Sequence, residues 1–232
     1  MMAEAKAPSL LLWAMELPRG ALGLGQFLWG RRKLAAAPRG DGRPILILPG
    51  LVNADRSNFA MRGYLNRLGY RAYGWGLGRN FGTRAIGPEG EKLFERISEI
   101  HDETGEKVTL IGVSLGGIMA RMAAHRLPDL VREVITVSSP FAGSPRATNV
   151  WRAFEWLTGE RIDDPRVKAL AAEVARPLPV PATAIWSASD GLVNGAICRE
   201  PGCRHIRVRS SHIGVQVRPE VLLAVAAVLG GE

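Results

Sequence analysis

The chain has 232 residues, with 47% apolar and 22% charged side chains, an ordinary globular composition long enough for one sizeable core. Its 27 glycines and 15 prolines are scattered without period, which excludes collagen-like, low-complexity and repeat chains. Thirty basic residues, only five of them lysine, against 22 acidic ones give a formal charge of +8, which suits anionic surfaces such as lipid headgroups and equally fits a solvated basic exterior.

Residues 1–43 stand apart. Ser9 to Trp29 is apolar but interrupted by Glu16, Pro18, Arg19 and glycines, so no run reaches the ~20 residues that span a bilayer. Glu4 precedes this stretch and Arg31-Arg32-Lys33 follow it, the reverse of a secretion signal. The expectation is a cytoplasmic protein. Its amphipathic N-terminal segment either packs on the main domain or lies over an active-site mouth or at a membrane surface, with the three bases against anionic lipid.

From Arg43 onward, short apolar runs alternate with longer helix-like stretches. Pro44–Leu48 reads as a buried strand, Asp55–Leu68 as a helix, Tyr70–Trp75 as a strand and Gly76–Gly82 as a glycine-rich loop. Glu89–His101 is helical, with Leu93, Ile97 and Ile100 at spacings of four and three. Then come strand Val108–Ile111, helix Gly116–Arg126 and strand Val134–Val137. An insertion at about 141–177 separates these from strands Ala182–Trp186 and Ile206–Val208 and helix Pro219–Leu229. The alternation predicts an α/β domain over 44–232, a mostly parallel sheet with helices on both faces. Such sheets bind ligands beyond the carboxyl ends of their strands.

Gly112-Val113-Ser114-Leu115-Gly116 is a G-x-S-x-G motif. A strand precedes it, a helix follows, and small residues flank the serine, which are the conditions of a nucleophile elbow. A serine hydroxyl needs a base and a carboxylate that orients the base, expected in the order Ser, Asp or Glu, His. His101, His125 and His205 lie on helices or at a strand start. His212 follows the last strand in Ser210-Ser211-His212-Ile213-Gly214 and is the candidate base. Asp190, just past a strand and before Gly191, is the candidate acid. Asp163 and Asp164 compete in chain order but precede a proline inside the insertion. Two backbone donors should face the developing oxyanion, the N–H of Leu115 and that of Leu51, since Pro49 has none.

The pieces Pro44–Leu51, Gly112–Gly117, Ser138–Pro145, Ser187–Val193 and Ser210–Val215, in this order, resemble the α/β-hydrolase superfamily and its small bacterial esterase and lipase-like members. The resemblance implies that fold, with a short cap insertion, and hydrolysis of a small-molecule or lipid ester through an acyl-enzyme, with neither metal nor organic cofactor. Thioester, amide or lactone cleavage by the same triad, and a non-catalytic lipid-binding protein on the same scaffold, are the alternatives. The insertion occupies the cap position, where Val150, Trp151, Phe154, Trp156 and Leu157 are expected either to roof an acyl site or to pack the insertion on the sheet.

Cys198 and Cys203 are too few for a disulfide scaffold or a structural zinc site and are either spectator thiols or one local bridge. No phosphate-binding loop and no nucleic-acid module is present, so nucleotide chemistry and a nucleic-acid partner are not expected.

Overall fold

The apolar run Pro44–Leu48 forms strand β1 and is buried along its whole length, because both of its faces are covered. A computed structural model of the chain describes residues 5–29, 34–200 and 202–231. Beside β1 stand β2 (Arg71–Gly74), β3 (Val108–Val113), β4 (Val131–Val137), β5 (Ala182–Ser187) and β6 (Arg204–Val208). The sheet order is β2-β1-β3-β4-β5-β6, and every neighbouring pair is parallel.

The helices among the described residues include α1 (Leu10–Ala14), α2 (Glu16–Trp29), α3 (Phe59–Leu68), α4 (Thr83–Ile86), α5 (Glu91–Thr104), α6 (Leu115–Arg126), α7 (Trp151–Thr158), α8 (Pro165–Val174) and α9 (Pro219–Leu229). Alternation along the strands sorts the core into two layers. Ile45, Ile47, Ile111, Val113, Ile135 and Val137 meet α3 and α9 on one face. Leu46, Leu48, Leu110 and Val134 meet α5 and α6 on the other, where the spacing of Leu93, Ile97 and Ile100 takes effect.

The helix expected over Asp55–Leu68 starts late. Asp55 to Asn58 form a 3-10 turn, because the Asp55 carboxylate accepts from the N–H groups of Trp75 at 2.8 Å and Gly76 at 3.0 Å, tying the turn to the end of β2. The helix proper ends at Gly69, whose φ of 105° lies in the left-handed region open to glycine. The thiols of Cys198 and Cys203 are free, which settles the alternative against a bridge.

The N-terminal segment packs on the domain with an unexpected face. Among the described side chains of α2, Glu16, Gly20 and Gly23 are buried, and Phe27 continues the stripe against the core. Several large apolar side chains of the segment point outward, with Leu10 78%, Leu17 70% and Leu22 65% exposed. Arg31-Arg32-Lys33, expected to meet anionic lipid, lie outside the described residues. Among the described residues, no helix is long and apolar enough to cross a membrane.

One ion pair is fully enclosed. Arg121 on α6 is 1% exposed. It reaches Glu200 Oε1 at 2.7 Å and the carbonyls of Val174 and Arg176, and its guanidinium lies over the Phe141 ring. Burial lowers the Arg121 pKa and raises that of Glu200, and their mutual attraction opposes both shifts. The pair ties the end of α8 to the body of the domain. Arg121→Met strands the buried Glu200 carboxylate and is expected to cost about 3–5 kcal/mol in urea denaturation, whereas Arg121→Met with Glu200→Leu recovers most of that loss.

Candidate active site

The chain runs from β1 outward to β2 and then returns across β1 to β3, so the order of the sheet reverses between β1 and β3. The segments leaving these two strands go to opposite faces, α3 to one and α6 to the other. A crevice opens between them at the strands' carboxyl ends, and Leu51, Ser114 and Leu115 line it.

Ser114 sits at the β3–α6 junction with φ 52° and ψ −119°, a sparsely populated region that costs a non-glycine residue about 1–3 kcal/mol. The neighbours leave no alternative. A Cβ on Gly112 would collide with Gly117, one on Gly116 with the Leu48 carbonyl, and one on Gly117 with the Ser139 hydroxyl. The Ser114 N–H donates to the Val137 carbonyl at 2.8 Å, anchoring the turn to β4.

The loop after β1 passes close by, and a Cβ on Gly50 would lie 3.2 Å from that of Ser114. The fully buried Asn80 fixes this loop. Its Nδ2 donates to the Pro49 carbonyl at 2.7 Å, its carbonyl accepts from Val52 at 2.8 Å, and its N–H donates to Asn53 at 2.8 Å. Leu115 is the first residue of its helix, so its N–H has no partner within the helix. The N–H groups of Leu51 and Leu115 donate to no protein acceptor among the described residues.

Asp190 follows β5. Its Oδ1 accepts from the N–H groups of Leu192 at 2.9 Å and Val193 at 2.8 Å, which leaves Oδ2 to accept from His212 Nδ1 at 2.7 Å. The other ring nitrogen of His212, Nε2, lies 3.1 Å from Ser114 Oγ. Three residues remote in sequence thus form one hydrogen-bonded line. The His212 side chain is 11% exposed and that of Asp190 2%. Burial disfavours the imidazolium, but the charge and hydrogen bond of Asp190, with the charge of Glu16 adding to them, outweigh it and raise the His212 pKa above the usual 6.5.

The serines around this line serve as braces. Ser187 Oγ donates to the Ser210 carbonyl at 2.8 Å and accepts from the Ser210 N–H at 3.1 Å, joining the ends of β5 and β6. The competing residues are engaged elsewhere. Asp164 caps α8 by accepting from the Arg166 N–H, and Asp163 pairs with Arg146 and Lys168. His101 bonds the Glu106 carbonyl, and His205 lies exposed on β6.

A cavity of about 750 Å³ opens beside Ser114 under the insertion, within the range of small-molecule sites. From the insertion, Phe141, Val150, Trp151 and Phe154 line it, together with Ile118 and Met119 of α6. Trp156 does not roof it, being 83% exposed, and half-buried Leu157 is not part of the lining either. Five residues past Trp151 on a helix turns a side chain about 140° away from it, which carries Trp156 to the outer face. Among the described residues, no group of three or more His, Cys, Asp or Glu side chains could hold a metal ion.

Two contributors escape sequence reasoning. Asn80 lies in a glycine-rich loop without periodicity. Glu16, 1% exposed, accepts from the N–H groups of Gly191 at 2.7 Å and Ile213 at 2.8 Å. The only signal for it in sequence is a carboxylate set in an apolar stretch.

A family model described as the alpha/beta hydrolase fold matches residues 95–194. No curated relative matches the sequence. Among solved structures, the mature form of Bacillus licheniformis lipase BlEst2 aligns at a TM-score of 0.63 and 18% identity, covering 84% of this chain and 94% of that one. Paleococcus ferrophilus monoacylglycerol lipase aligns at 0.58 and 17%, covering 84% and 96%. The putative non-heme bromoperoxidase BpoC from Mycobacterium tuberculosis H37Rv aligns at 0.56 and 16%, covering 83% and 93%. At these identities the likeness is one of fold.

The electrostatics of the line can be read without substrate. In an NMR titration the His212 imidazole is expected to titrate above 6.5. In Asp190→Asn its pKa falls, because the largest favourable interaction of the imidazolium is gone.

Proposed function

We propose that the chain, which shares the α/β-hydrolase fold, is a serine hydrolase cleaving carboxylic esters through an acyl-enzyme. One observation carries the reading: His212 bonds Asp190 at 2.7 Å and faces Ser114 Oγ at 3.1 Å. A binding protein has no need of that line. Ser114 Oγ attacks the ester carbonyl carbon while His212 Nε2 takes its proton. Asp190 holds the proton on Nδ1, so Nε2 presents its lone pair, and it stabilises the imidazolium that forms. The N–H groups of Leu51 and Leu115 receive the oxyanion. Collapse expels the alcohol, which takes the proton from Nε2. Water, deprotonated by the same nitrogen, then attacks the acyl carbon and restores Ser114 as the acid departs.

The apolar wall formed by Ile118, Met119, Phe141, Trp151 and Phe154 suits the acyl side of the substrate. A raised His212 pKa places the acid limb of kcat/KM above pH 6.5, since only the neutral imidazole accepts the serine proton.

A fluorophosphonate should label Ser114, and the label should vanish in folded Ser114→Ala. On p-nitrophenyl esters of graded acyl length, His212→Ala and Asp190→Asn are expected to lose at least ~10²-fold in kcat. Undiminished ester turnover by folded Ser114→Ala sinks the proposal.

We also propose peripheral contact with anionic lipid. Leu10, Leu11, Trp13, Leu17 and Leu22 are all more than half exposed within a single segment, on a chain of formal charge +8. Such an outward apolar face suits the headgroup boundary of a bilayer. Cosedimentation with phosphatidylserine vesicles should weaken in Leu17→Glu/Leu22→Glu and in high salt, and equal recovery of wild type and variant counts against it.

A further inference from the structure

The N-terminal segment makes a continuous set of contacts with the two loops that carry the acid and the base. The Lys6 carbonyl accepts from Asn194 Nδ2 at 2.7 Å, and the Pro8 carbonyl from Asn149 Nδ2 at 3.0 Å. The backbone of α1 passes so close to Gly191 that a Cβ there would collide with the Leu12 carbonyl. Arg19 donates to the Ser189 carbonyl at 2.6 Å and to its hydroxyl at 3.0 Å. A Cβ on Gly20 would stand 2.9 Å from the Ile213 carbonyl, and one on Gly23 would stand 2.8 Å from the Arg218 side chain.

Glu16 lies at the centre of this contact. One carboxylate oxygen takes the N–H of Gly191, the residue after Asp190, and the other takes the N–H of Ile213, the residue after His212. A single buried carboxylate therefore bridges the β5 loop to the β6 turn, beside the bridge that Asp190 and His212 themselves form. Burying a carboxylate is costly unless its oxygens are bonded, and Gly20 and Gly23 inside α2 cost about 1 kcal/mol each relative to alanine. Both features oppose the stability of an isolated amphipathic helix. Both are required for close approach to these loops.

We propose that α1 and α2 clamp the acid and base loops and that Glu16 is a positioning residue, holding the Asp190 and His212 backbones at their working separation. The inference rests on the serine-hydrolase reading. Glu16 does not line the cavity, so it acts on turnover rather than on substrate binding. Its charge also favours the imidazolium that forms as Ser114 attacks. The charged groups facing His212 are Asp190 and Glu16. On the adjoining elements, Arg19 is bound to Ser189, Arg218 to Gln26, and Glu220 to the Arg209 N–H.

The experiment compares the wild-type 232-residue chain with Glu16→Gln, using a p-nitrophenyl ester across pH together with the rate of fluorophosphonate labelling. Glu16→Gln should lower kcat roughly ten- to hundred-fold with KM unchanged within about twofold. It should also move the acid limb to lower pH, because one negative charge near the imidazole is lost. A folded Glu16→Gln with wild-type kcat and an unmoved acid limb overturns the clamp, even if its Tm falls. Should Glu16→Gln fail to fold, Arg19→Met cuts the Ser189 contacts instead; reduced kcat at constant KM supports the clamp and unchanged kcat overturns it. A wild-type protein that neither turns over ester nor takes the label overturns the serine-hydrolase reading, and the clamp with it.

Discussion

An imidazole that must meet a hydroxyl on one side and a carboxylate on the other places a demand on three strands at once. The partners of His212 stand at the ends of β3 and β5, and His212 itself stands beyond β6. Hydrogen bonds fall off steeply with distance and angle, so the ends of these strands must be fixed to within a fraction of an ångström. Parallel pairing fixes the strands. It leaves their terminal loops free, and much of the surrounding polar structure acts on those loops: Asn80 after β1, the Ser187–Ser210 pair, and Glu16 from outside the sheet.

The same demand explains where side chains are missing. The elbow carries Ser114 in a strained conformation that helix α6 and strand β1 enforce by closeness alone, and Gly112, Gly116 and Gly117 are the points where that closeness is tolerated. Gly191 and Gly20 do the same where the N-terminal helices approach the loop after β5 and the turn after β6. Strain at the serine and close approach around the loops are two parts of one arrangement, in which the polar atoms are placed by backbone contact and the apolar core on both faces supplies the stability that offsets the strain.

The fold and the polar line were legible in sequence because their signals are local. A buried strand and its helix announce themselves by period, as Pro44–Leu48 and Pro219–Leu229 do. Asp190 and His212 stand out because each follows a strand next to small residues. What was not legible depends on phase or on distance along the chain. Trp156 counts as an apolar residue of the insertion until the phase of α7 turns it outward. Glu16 reads as a break in an apolar stretch, and no period connects it to amides 175 and 197 residues away. Asn80 is a loop asparagine until its burial shows which carbonyl it holds.

The N-terminal helices invert the rule by which a surface helix buries its apolar stripe. Area burial alone would turn Leu17 and Leu22 inward, and it does not, since those side chains stay largely in the open while a carboxylate and two glycines face the domain. Hydrogen bonding to a charged group is worth about 1.5–3 kcal/mol, and Glu16 accepts two bonds from amides that the loops themselves leave unused. Arg19 adds two more at Ser189. Polar satisfaction thus decides which face of α2 is inside. The apolar side chains left over are a consequence of that choice, and they are what makes the outer face a candidate for lipid.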